Sequence, residues 1–64
     1  MEKILRTAFF VNKKDNTVIY RLSMKTGFKY LWEKEKVLTL ERLAKEKFIH
    51  KNDIEIRDHG QHVQ

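Results

Sequence analysis

The sequence predicts an α+β domain: a three-stranded antiparallel meander, one α-helix packed on one face of it, and a short C-terminal strand (βββαβ). Three observations lead there. Two runs of strand-forming residues flank the turn-rich stretch Asn12-Lys-Lys-Asp-Asn16. Aromatic residues then alternate at Phe28, Tyr30 and Trp32 after a lone glycine, Gly27. From Glu33 onward the apolar spacing changes from two residues to three and four, the period of a helix.

The first strand is read from Ile4-Leu-Arg-Thr-Ala-Phe-Phe-Val11 and the second from Thr17-Val-Ile-Tyr-Arg-Leu-Ser-Met24. The second alternates cleanly, with Val18, Tyr20, Leu22 and Met24 on one face. A four-residue loop over 13–16 sets Asn12 opposite Thr17 and Val11 opposite Val18. An unbroken register then pairs Phe9 with Tyr20, Thr7 with Leu22 and Leu5 with Met24. Slipping it by one residue would turn Phe9 and Val11 outward. Lys25-Thr26-Gly27 predicts a second turn, with Gly27 supplying a left-handed residue. That turn carries Phe28, Tyr30 and Trp32 onto the same apolar face.

The helix is expected to begin at Glu33, or at Leu40 with Thr39 as its cap. Its apolar stripe is read as Val37, Leu40, Leu43, Ala44 and Phe48, with Lys47 at the edge. Glu33, Glu35 and Glu41 alternate with lysines and read as a solvated face. Asp53-Ile-Glu-Ile-Arg57 predicts a short strand with Ile54 and Ile56 inward, parallel to strand one after a right-handed crossover. Residues 1–57 form the expected single domain, and 58–64 a flexible C-terminal tail.

The chain has 64 residues, no cysteine and no proline, and a net charge of +5. Disulfides and thiolate metal sites are thereby excluded. The N-terminus has no long apolar segment, so a signal peptide is not expected, and a cytoplasmic, non-membrane protein is the expectation. The pI near 9.7 favours a polyanionic partner. Ten lysines against four arginines favour phosphate contact over base readout.

Catalytic chemistry finds little support. Ser23 stands mid-strand with no histidine forced beside it, and Gly27 and Gly60 are too isolated for a phosphate loop. His59-Gly-Gln-His62 has a chelating spacing but sits in the expected tail, short of the ligand set a zinc site needs. No enzyme activity, cofactor, metal or small-molecule substrate is predicted.

The outer sheet face is then the candidate site. In this register it shows Phe10, Ile19 and Leu31 as an apolar strip, with Arg6, Arg21 and Lys29 around it and Lys13, Lys14 and Lys25 at the loops. The six basic residues predict binding of nucleic acid, DNA before RNA, by a small regulator or accessory protein of a phage or mobile element. The alternative is a protein partner or inhibited target, or a homodimer, through Phe10, Ile19 and Leu31. The sheet-plus-helix layout resembles the DNA-binding domains at the N-termini of some transposon integrases, which implies a sheet docked in a groove. Leu38-Thr-Leu-Glu-Arg-Leu-Ala-Lys-Glu also resembles the first helix of a helix-turn-helix, but the turn glycine is missing and Ile54 and Ile56 keep strand period.

Overall fold

The computed structural model describes the backbone of residues 4–63 and the side chains of 4–59. Strand β1 (Ile4–Asn12) and strand β2 (Thr17–Lys25) form a hairpin, helix α1 (Lys29–Lys47) follows, and a 3₁₀ turn (Lys51–Asp53) leads into strand β3 (Ile54–Val63). The sheet order is β2-β1-β3, with β1 antiparallel to both neighbours. The protein is therefore α+β, with one helix and a three-stranded antiparallel sheet whose third strand is the C-terminal one.

The hairpin turn forms as the sequence predicts. Asn12 faces Thr17 and Val11 faces Val18. Asn16 takes the left-handed conformation (φ 59°), and its N–H donates to the Asn12 carbonyl at 2.7 Å. The Asp15 carboxylate accepts from the Thr17 hydroxyl at 2.7 Å and from the Thr17 N–H at 3.2 Å. These bonds hold its carboxyl below the usual range.

Beyond the turn the register departs from the unbroken one. A bulge follows Phe10/Val11, so that Phe10 faces Tyr20 and Ile19 is left as the extra residue. From there Ala8 faces Leu22 and Arg6 faces Met24. The bulge lies on β2: Tyr20, Leu22 and Met24 keep their expected face, Val18 moves to the opposite one, and the whole of β1 takes the opposite phase to the one expected. Phe10 and Ala8, expected on the outer face, are both 0% exposed and lie in the core with Leu22, Trp32, Leu43 and Ile54.

The segment read as a third meander strand is the first turn of α1 instead. Residues 29–47 are mostly Lys, Glu, Leu and other good helix formers with no break. That long preference outweighs a three-residue aromatic alternation. A spacing of two turns side chains about 200° apart on a helix. Trp32 is accordingly buried and Tyr30 exposed, while Phe28, the extended residue before the helix, is exposed as well. Gly27 adopts no left-handed conformation. The Thr26 hydroxyl accepts from the Phe28 N–H at 3.0 Å and sets the entry to the helix.

The sheet-facing stripe of α1 is Trp32, Lys36, Thr39 and Leu43. Of the stripe expected from sequence, Leu43 is buried and Leu40 and Ala44 are half-buried. Val37 and Phe48 are exposed, Phe48 as the left-handed residue (φ 54°) that closes the helix. Thr39 is a buried mid-helix residue and caps nothing.

β3 runs antiparallel to β1, not parallel to it. With residues 29–32 helical, α1 carries the chain back from β2, and β3 takes the same direction as β2 on the far side of β1. Residues 58–63, placed in a tail by the sequence reading, continue this strand to Val63. Gln64 lies outside the described residues.

Candidate nucleic-acid interface

Strand alternation and the observed register define the face that α1 leaves open. Its central row on β1 is Leu5, Thr7 and Phe9, all half-buried, followed by Val11, which shares the face but is fully buried. β2 contributes Val18, Arg21, Ser23 and Lys25, and β3 contributes Glu55 and Arg57. The Phe9 ring meets the edge of His59 at a centroid distance of 4.8 Å. Arg57 is held in place, its Nε donating to Glu55 at 2.6 Å and its Nη2 to the Asn16 side chain at 2.9 Å. A basic fork is thereby tied to the hairpin turn that also carries Lys13 and Lys14.

The residues singled out from sequence divide three ways. Arg21 and Lys25 lie exposed on the open face, and Lys13 and Lys14 stand exposed at its turn end, Lys14 within 3.5 Å of the Asp53 carboxylate. Arg6 and Lys29 do not belong to the open face. The bulge turns Arg6 to the helix side, where its Nε donates to the Thr26 carbonyl at 3.1 Å and fastens the β2–α1 link. Lys29 is the first residue of α1. The apolar strip of Phe10, Ile19 and Leu31 does not exist as a surface. Phe10 is core, Ile19 is the half-buried bulge residue packed against the core, and Leu31 is half-buried on α1. Phe9, Arg57 and His59 take the place of these residues. Arg57 was legible from the alternation around Ile54 and Ile56, which turns it outward.

A second polar cluster lies between α1 and β3. The Lys36 Nζ donates to Asp58 at 2.7 Å and to Glu33 at 3.1 Å, and sits 5.5 Å from the Trp32 ring centroid. The Trp32 Nε1 donates to the same Asp58 oxygen at 3.0 Å. Burial pulls the Lys36 pKa down, but the bonds to Asp58 and Glu33 outweigh it and leave the pKa above the ordinary lysine value. The raised folded-state pKa means that the ammonium stabilises the fold fully below about 10.4 and that this contribution fades as pH rises through the folded value. Urea midpoints measured between pH 8 and 11.5 should fall at the alkaline end. The fall should be shallower in Lys36→Met, which has no ammonium to lose.

Among the described residues, no three His, Cys, Asp or Glu side chains converge as a metal site. No helix there is long and apolar enough to cross a membrane. An open concavity of about 410 Å³ lies at the C-terminal end of α1, lined by Glu41, Ala44, Lys45, Ile49, His50 and Lys51. No protein-family model, curated protein or solved structure matches the chain.

Proposed function

We propose that the protein is a small non-enzymatic module that binds nucleic acid, duplex DNA first, through the open sheet face. The observation that carries this reading is the grouping of Arg21, Lys25 and the fixed Arg57 on that face, with Lys13 and Lys14 at its turn end. Exposed lysines and arginines along one surface neutralise phosphates and release counterions. The half-buried Phe9 against His59 gives the centre of the face an aromatic surface for contact with sugars or bases. A cytoplasmic regulator or accessory factor of a phage or mobile element fits the small size and the +5 charge.

The test is fluorescence anisotropy with labelled duplex DNA and single strands from 20 to roughly 300 mM salt. Binding should weaken linearly on a log–log scale, with a slope of about −0.9 per phosphate neutralised. Arg21→Ala combined with Lys25→Ala should flatten that slope by about 2, while Lys29→Ala should leave it unchanged. No binding to any strand at the lowest salt would remove this reading.

A further inference from the structure

We propose that the chain forms a two-fold homodimer in which β3 pairs with its own symmetry mate and the two copies of α1 pack antiparallel. The inference is independent of the nucleic-acid reading. It begins with a helix that carries two apolar stripes. Trp32, Thr39 and Leu43 face the sheet, but Tyr30, Val37, Leu40 and Ala44 form a second stripe at spacings of seven, three and four. Val37 is 51% exposed and Tyr30 68% exposed. Seven-residue spacing on a helix is the pattern of a seam against another helix.

The second stripe points past β3. On the opposite flank of α1, Arg42 lies 5.7 Å from the Tyr20 ring of β2. Trp32 and Lys36 bond Asp58 of β3. The stripe spans about 80–160° around the helix from Trp32, in the rotational sense of Lys36, with Leu40 nearest the sheet and Tyr30 furthest from it. It therefore overhangs the outer edge of β3, which among the described residues pairs only with β1. The Lys13 N–H donates to the Asp53 carbonyl at 2.8 Å, so strand alternation turns the backbone groups of Ile56 and Asp58 to that open edge. An unpaired edge of this kind is a template for another strand.

Two separations agree. α1 packs on β1 and β3 together, so its axis lies roughly 2.4 Å inside β3, half of a strand spacing of about 4.8 Å. A mate of β3 one spacing beyond would set the two helix axes about 9–10 Å apart, the ordinary distance for packed helices.

One register satisfies the strand and the helix together. Asp58 is level with Trp32–Lys36 through its bonds. Two residues back along β3 is about 6.7 Å, and about four to five residues along α1, which brings Ile56 level with Leu38–Thr39. A two-fold axis there pairs Ile56 with its mate and sets Glu55 opposite the second copy's Arg57, twice. On the helices it sets Val37 against Leu40 and brings Lys34 beside Glu41, again twice. Lys34 and Glu41 are both exposed and have no ion-pair partner among the described residues. Tyr30 of one copy then comes level with the last turn of the other α1, at the concavity lined by Ala44 and Ile49.

Sedimentation equilibrium on the full chain tests the proposal. The apparent mass should rise with concentration from 7.8 kDa toward twice that value. Val37→Glu, on an exposed position that leaves the far-UV spectrum unchanged, should hold the chain monomeric. Lys34→Glu or Glu41→Lys alone should weaken association at least tenfold, since each turns two attractive pairs into two repulsive ones. The double exchange Lys34→Glu with Glu41→Lys should restore it. A chain that stays monomeric to millimolar concentration overturns the proposal, as does a dimer indifferent to these substitutions. If the single exchanges weaken the dimer and the double does not restore it, the antiparallel register is overturned.

Discussion

Phe10→Ala is expected to remove about half of the domain's stability or more. Phe10 is 0% exposed at the centre of the middle strand, packed with Ala8, Leu22, Trp32 and Ile54. Truncating a fully buried phenylalanine costs about 3–5 kcal/mol, the lost transfer energy plus that of the cavity left behind. A domain this size, at roughly 0.05–0.15 kcal/mol per residue, is stable by only about 3–10 kcal/mol. Phe9→Ala next door should cost about 1–2 kcal/mol, because Phe9 is half-buried on the open face. Urea unfolding followed by far-UV circular dichroism compares the pair directly. The unbroken hairpin register predicts the reverse order, so the two midpoints also decide whether the bulge at Ile19 exists.

Asp58→Ala should be the most damaging substitution of a charged residue, costing about 2–3 kcal/mol. The carboxylate accepts from both Lys36 and Trp32, and its removal leaves an 11%-exposed ammonium with only the Glu33 bond. An uncompensated buried charge costs about 3–5 kcal/mol when fully enclosed. The lower figure reflects the remaining Glu33 bond and the solvent that reaches Asp58. Lys36→Met in the Asp58→Ala background should recover most of the loss, since a methionine fills the same space without a charge. A double-mutant cycle from chemical denaturation measures this coupling. Purely additive losses would mean that the ion pair is incidental to the packing of α1 on β3.

These two sites also mark where the sequence was readable. The turn over 13–16 was legible because the Asn12 and Asp15 side chains bond the backbone two residues on, and Asn16 accepts the left-handed conformation. The alternation of β2 from Tyr20 to Met24 and the inward faces of Ile54 and Ile56 were legible because polar neighbours fix their phase, whereas Val18, beyond the bulge, left the expected face. Phe9-Phe10-Val11 has no such phase, as three consecutive apolar residues fit either face. Only packing against α1 selects Phe10, and the extra residue at Ile19 absorbs the difference. Trp32 satisfied both the strand and the helix readings, so the aromatic alternation could not tell them apart. Lys36 read as solvent-facing because its partner Asp58 lies 22 residues further along the chain. The basic residues of the open face were found where β2 and the turn were read correctly. Arg6 was misplaced together with the phase of β1.

The pairing of Ile4 with Val63 brings the beginning of β1 beside the end of β3. Tension applied between those two points would pull across the ladder rather than along it. Antiparallel hydrogen bonds lie perpendicular to the strands, so they would meet that load one at a time, from residues 4 and 63 inward. The β1–β2 hairpin would carry none of it until β3 had peeled away. The fold is therefore weak as a link under load, opening like a zip from the end where its first and last strands meet.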